Sequence, residues 1–182
     1  MRRGLAMMGL GLVAATLTVC VGPATAMAEK AAKSPMKIGV YDSRGVAVAY
    51  ARSPEFGESM ARLRADYEQA KAKGDSAQVK KLGQEGLWMQ VRLHQRGFST
   101  AGVGDLLAKV AGALPGVARE AGVVLLVSKW EMPYQDASVE VVDVTLPIAR
   151  LFKPDEQTLQ ILGELKDQKP VPFDEVPLDG ND

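Results

Sequence analysis

The chain has little of what catalytic and metal-binding chemistry is usually built from. Its 182 residues include one histidine, His94, and one cysteine, Cys20. That pair is too few for a Cys/His zinc site, and a single cysteine closes no disulfide within the chain. Aromatic residues make up 5 % of the sequence, and 22 basic side chains are balanced by 22 acidic ones. A chain without net positive charge is not built mainly to bind nucleic acid. No Walker-type lysine motif occurs. Gly102-Val103-Gly104 follows no strand pattern and lacks the third glycine of a dinucleotide fingerprint. There is no internal repeat, and no low-complexity block beyond one short linker.

The first 28 residues hold Arg2 and Arg3 and no acid. After the arginines comes an uncharged run, Leu5 to Val21, and then Ala24, Ala26 and Ala28, the layout of a secretory signal peptide. Two other readings compete. A membrane anchor is disfavoured by Gly4, Gly9, Gly11 and Pro23 within or beside a run only just long enough to span. Lipidation of Cys20 is disfavoured by Val19, where a lipobox takes a small residue. Cleavage after Ala26 or Ala28 leaves an exported chain with no cysteine, whose stability must come from packing or assembly. The remaining length suits one domain with a real core and is too short for two large ones.

Residues 29–35 read as an Ala/Lys linker. Lys37-Ile38-Gly39-Val40-Tyr41-Asp42 alternates with period two and predicts a short strand, with Ile38 and Val40 on its buried face. Asp42 or Ser43 is placed to cap an apolar turn from Val46 to Tyr50. Ser53-Pro54-Glu55 then combines a capping hydroxyl, a proline suited to the first turn and an acid favoured by the helix dipole.

From this start Phe56, Met60, Leu63, Tyr67 and Ala70 recur at spacings of four and three. Beyond a break at Gly74-Asp75-Ser76 the pattern resumes in Val79, Leu82, Gly86, Met89 and Leu93. Two such seams separated by a turn predict an antiparallel helical hairpin over residues 53–96, with arms of roughly 30 Å. Leu87, Trp88 and Val91 lie off the seam and need a second surface.

Val103, Leu106, Leu107, Val110, Leu114 and Val117 predict a further helix, capped by Asp105, kinked by Pro115 and closed by Gly122. Val123 to Val127 is an apolar run of strand length, and Ser138 to Val142 reads as its partner. Thr145 is the expected N-cap of a helical stretch from Leu146 to Phe152. A last helix spans about Asp155 to Lys166, followed by an acidic tail. The expected class is α+β: a small antiparallel β body (36–50 and 97–152), the projecting hairpin, and a C-terminal helix with its tail (153–182).

Residues that invite a chemical role have plainer explanations. His94, beside Arg92 and Arg96, offers a pH-sensitive contact, but a solvated arm residue is the preferred reading. Asp136, Glu140 and Asp143 suggest acid–base work or a metal, yet strand alternation turns Glu140 outward and Asp143 suits the Thr145 cap. Ser128 and Lys129 are adjacent on a strand and so point to opposite faces. The expectation is no catalytic residue, no metal and no cofactor.

Lys37-Ile38-Gly39-Val40-Tyr41-Asp42, Ser53-Pro54-Glu55, Gly122 to Lys129, Tyr134 and Val142-Asp143-Val144-Thr145, in that order around a hairpin, resemble the Skp/OmpH family of periplasmic outer-membrane-protein chaperones. The resemblance covers roughly residues 37–152. It implies a trimer assembled through small sheets, with helical arms that hold unfolded clients without ATP. The chain departs from the family in its short arms containing Gly83 and Gly86, its near-neutral charge and the segment after Leu151. On this reading Met60, Tyr67, Leu87, Trp88, Met89 and Val91 bind clients, and Ile38, Val40, Val124, Leu126, Val139 and Val141 mediate oligomerisation. Expected partners are unfolded proteins and further copies of the chain, with a peripheral membrane contact left open. The alternative is an envelope adaptor that grips one fixed partner through the hairpin.

Overall fold

A computed structural model describes residues 36–176. The signal-type leader, the linker and residues 177–182 of the acidic tail lie outside the described residues. Strand β1 (Lys37–Tyr41) ends at Asp42, whose side chain accepts from the Arg44 amide and starts α1 (Ser43–Ala51). The expected turn over 46–50 is thus a nine-residue helix. Val46, Ala47, Ala49 and Tyr50 of α1 enter the core with Tyr41, Leu106, Val117, Val144, Ile148 and Phe152.

Ser53 caps α2 (Pro54–Ala72) by accepting from the Phe56 amide at 3.2 Å. Gly74 adopts the left-handed conformation, φ 70°, that the reversal requires, and Asp75 caps α3 (Ser76–Gly97). The two helices pack on each other as a hairpin. A Cβ on Gly83 or Gly86 would lie 3.8 Å from Tyr67 and 3.7 Å from Leu63, so bare glycines form the bed on which those side chains rest.

The predicted helix around Pro115 is two helices, α4 (Gly104–Lys109) and α5 (Leu114–Ala121). A proline inside one continuous helix would meet the carbonyl four residues back. The chain therefore breaks after Lys109 and restarts with Pro115 in the first turn. Asp105 is not a cap. It lies between Arg92 (3.3 Å) and Arg96 (2.6 Å) and fastens α4 to α3. Gly122 closes α5 at φ 66°.

Strands β2 (Leu126–Ser128) and β3 (Glu140–Asp143) are shorter than expected, and they do not pair with each other. Both flank β1, parallel to it, in the order β2-β1-β3. The anticipated antiparallel body is therefore a parallel one. A parallel pairing needs a crossover rather than a tight hairpin. Helices α1–α5 fill the first crossover, and Lys129 to Val139 form the second. Parallel crossovers are right-handed, so two that run in opposite directions across the sheet lie on opposite faces. Ile38 and Val40, which alternate with the core-facing Gly39 and Tyr41, are each only 8 % exposed. Both are covered within the protomer, which removes them from the predicted oligomerisation surface.

After β3, α6 (Thr145–Arg150) begins with Val144, not Thr145, at the cap position. Thr145 Oγ1 instead accepts from the Asp42 amide at 2.9 Å, joining the ends of β1 and β3. Asp155 caps α7 (Glu156–Leu165), which packs on α1. The chain then returns along the foot of the hairpin, where the Val171 amide donates to the Phe98 carbonyl at 2.8 Å. No helix among the described residues is long and apolar enough to cross a membrane.

Candidate functional site

The 3-and-4 spacing that pairs α2 with α3 leaves a trough along one side of the hairpin. Towards the tip, Met60, Leu63, Arg64, Tyr67 and Glu68 of α2 face Leu82, Gly83, Gly86, Leu87 and Gln90 of α3 around a space of about 510 Å³. Towards the foot the trough deepens into a cavity of about 750 Å³. Phe56 and Met60 of α2, Met89, Leu93 and His94 of α3, Ala47, Val48 and Ala51 of α1, and Ile161 and Leu165 of α7 line it. Met60, Gly86 and Gln90 border both spaces, so the two adjoin as a groove along the hairpin. Gly83 and Gly86 border its tip end, beneath the Tyr67 and Leu63 side chains.

The deep end is mainly apolar, while the end towards the tip is about half polar. Arg52, Glu164 and Gln168 stand around the deep end and Arg64 and Glu68 around the shallow one. Methionine suits a surface that must accommodate varied shapes, because the side chain is unbranched and polarisable. The foot of the hairpin is braced from outside the groove. Tyr50 packs edge-on against Phe56 and Phe152, with ring centroids 5.4 and 5.8 Å apart. Lys109 reaches Glu55 at 2.7 Å, and that hydrogen bond raises the lysine's pKa.

Of the predicted client-binding residues, the structure brings Met60, Tyr67, Leu87 and Met89 to the groove. Trp88 stands apart from its lining, 66 % exposed on the outer surface of α3. Val91 is 9 % exposed and is unavailable to a client. Sequence reasoning missed the groove's deep end, because it is assembled from α1, α7 and the hairpin together. Among the oligomerisation residues, Val124 (69 %) and Val141 (39 %) are exposed beside the two sheet edges, while Leu126 and Val139 are half-buried.

A second cluster, not anticipated, sits where β1 and β2 end side by side. Asp42 accepts from Arg44 Nε (3.1 Å), Arg44 Nη2 (2.8 Å) and Trp130 Nε1 (3.1 Å), and Lys129 Nζ lies 2.7 Å away. Arg44 also donates to the Leu165 carbonyl of α7, and the Trp130 ring lies under both cations, 5.2 Å from Arg44 and 4.4 Å from Lys129. Burial alone would push the Asp42 carboxyl up. The Arg44 and Lys129 donors outweigh it and hold the group below the usual carboxylate range. The neighbouring Tyr41 phenol is pushed up by burial and by Glu131. Through these contacts the cluster ties together the sheet, α1 and α7.

The residues weighed for catalysis are engaged locally. Glu140 pairs with Lys37 at 2.6 Å, and Asp143 accepts from the Thr145 amide at 2.8 Å. Asp136 accepts from the Ser138 hydroxyl and amide, which lowers its pKa. Lys129 turns to Asp42, and the Ser128 hydroxyl accepts from the Trp130 amide. His94 lies at the groove, edge-on to Phe98 with centroids 5.4 Å apart. Among the described residues no group of three or more His, Cys, Asp or Glu side chains is placed to hold a metal ion. Comparison of the chain with protein-family models, curated proteins and solved structures returns no match.

Proposed function

We propose that this chain is a non-enzymatic, ATP-independent holding chaperone of the cell envelope, of the Skp/OmpH kind, that keeps unfolded envelope and outer-membrane proteins from aggregating. The observation that carries the reading is the apolar groove running along the hairpin and opening to solvent. It offers methionine, tyrosine and leucine side chains to a client, while Trp88 adds an exposed aromatic surface nearby. Burying one large apolar side chain contributes about 1.5–3 kcal/mol before ordering costs, so several contacts in one groove hold a client reversibly. Assembly into a trimer would multiply that grip through effective concentration. The outer edges of β2 and β3, paired with no other strand among the described residues, and the exposed Val124 and Val141 support such assembly. The leader pattern supports export to the periplasm.

The test is aggregation of several unrelated denatured outer-membrane proteins diluted into the purified protein without nucleotide. Suppression that rises with chaperone concentration is the expected result. No suppression of any client at tenfold excess would overturn the reading in favour of an adaptor with one fixed partner. Solution mass should be that of an oligomer, and a strict monomer would remove the avidity step.

A further inference from the structure

We propose that Met60 and Met89 form a reversible oxidation site: converting either thioether to a sulfoxide unfastens one rung of the hairpin and loosens its two arms. The register of the helices builds the site. Tyr67 of α2 packs over Gly83 of α3, and Leu63 over Gly86. Three residues back along α2 and three forward along α3, the antiparallel pairing brings Met60 opposite Met89, and the next step sets Phe56 opposite Leu93. Both methionines are half-buried, and both line the deep cavity, one from each helix. That cavity, about 750 Å³ and open to solvent, readily admits a molecule of peroxide size, since a water in the liquid takes about 30 Å³. The site acts on the hairpin itself and requires no client.

Cys20 is the chain's single cysteine, so residues 29–182 hold no thiol to intercept an oxidant. The sulfur of that stretch is the thioethers of Met36, Met60, Met89 and Met132. The oxidant is a two-electron oxygen donor, hydrogen peroxide. A sulfur lone pair takes one peroxide oxygen, the O–O bond breaks and water leaves; sulfur loses two electrons and the peroxide gains them. A methionine sulfoxide reductase reverses the step, its dithiol becoming a disulfide while the oxygen departs as water. Sulfoxide formation turns an adaptable apolar side chain into a polar one. Leu63, Phe56 and Leu93 on the adjoining rungs carry no side-chain donor, and the helix amides are already bonded within α2 and α3. A polar oxygen buried there without a partner is costly, so the oxidised side chain leaves the seam for the water of the cavity. The arms have little else in reserve, because Ala70, Leu82 and Val91 are their buried residues. Met36 is 60 % exposed ahead of β1, and Met132 lies in the second crossover, so oxygen on either leaves the seam intact.

The test titrates the full exported protein with hydrogen peroxide, locates sulfoxides by peptide mass spectrometry and follows the arms by amide hydrogen exchange. Met60 and Met89 should be oxidised in the folded protein at doses similar to those that oxidise Met36. Exchange in α2 and α3 should then rise about fivefold or more while that of β1 stays unchanged. Treatment with the reductase and dithiothreitol should restore both mass and exchange. Replacing the pair by leucine, Met60→Leu with Met89→Leu, conserves volume and should leave exchange insensitive to peroxide. Met36→Leu with Met132→Leu leaves the rung as the target and should show the full rise, which keeps the test decisive if the first pair of substitutions prevents folding. Thioethers at Met60 and Met89 that survive doses oxidising Met36 overturn the proposal. Complete oxidation without faster exchange overturns it too, as does an equal rise in the Met60→Leu/Met89→Leu protein.

Discussion

In the foot of the molecule Val46, Val144, Ile148 and Thr158 are fully enclosed, and even Arg44 is 1 % exposed. Along the hairpin the buried residues are Ala70, Leu82 and Val91, and most of the rest meets solvent. One region is dense and joined by a shared ionic lock. The other is two helices leaning on each other, with a trough where a tighter hairpin would have side chains. The difference separates two tasks. Most of the buried core belongs to the foot, with Phe56 and Leu93 of the hairpin packed against it, while the rest of the hairpin leaves apolar surface open. Substitutions in the foot should therefore change stability far more than holding, and substitutions at the groove or on the outer face of α3 should do the reverse.

The largest expected effect falls on Asp42. Asp42→Ala leaves Arg44 buried without its anion, and removing one partner of a buried pair costs about 3–5 kcal/mol. Urea unfolding should show a lower midpoint with little change in slope. The folded carboxyl is depressed below its unfolded pKa of about 3.9, so its contribution is complete above that pH and is lost as pH falls through the folded value. Asp42→Asn should flatten the acid limb of the stability profile. An unchanged limb would mean that the lock is not what ties α1 and α7 to the sheet.

Next is Gly39, in the centre of β1. A Cβ there would lie 2.7 Å from Leu126 and 3.1–3.2 Å from Val123 and Val144. Gly39→Ala should cost about 1–3 kcal/mol by forcing β2 and the start of α6 outward. Smaller again is Ser53→Ala, which removes the α2 cap and should lower stability by about 1 kcal/mol. If Ser53→Ala proves as damaging as Gly39→Ala, the hairpin is more tightly coupled to the foot than its burial implies.

What could be read from the sequence divides along the same line. The hairpin was legible because its signals are local: Ser53-Pro54-Glu55 at the start, apolar residues at three and four, and Gly74 at the turn. The two glycines at 83 and 86 stood out as a departure from the family pattern; in the structure Tyr67 and Leu63 pack over them. The direction of the strands was not legible, because β2 and β3 are neighbours in sequence but separated in space by β1. Expecting them to pair antiparallel had a further consequence. In a parallel sheet the residues after β1 (Asp42, Arg44) and after β2 (Lys129, Trp130) arrive at the same edge; in an antiparallel pair they would lie at opposite ends. The ionic lock was therefore hidden by the pairing error, although all four residues follow strand-like segments. The deep end of the groove was hidden for a related reason. Ile161 and Leu165 border it only because α7 packs on α1, a contact that no local pattern announces.

The smallest stability change, and the one that bears most on function, is expected at Trp88. Its indole is 66 % exposed on α3, so Trp88→Ala removes almost no packing within the protomer and should shift stability by no more than about 0.5 kcal/mol. Free apolar surface of this size is what a client would cover, and aromatic side chains dominate such contacts. The variant should therefore unfold like the parent protein while needing several-fold more protein to suppress the same aggregation. Asp42→Asn supplies the opposite case, with lowered stability and, below its unfolding transition, unchanged holding. If Trp88→Ala instead lowers stability and leaves holding intact, the outer face of α3 is covered in the working protein, and client contact is confined to the groove between the two helices.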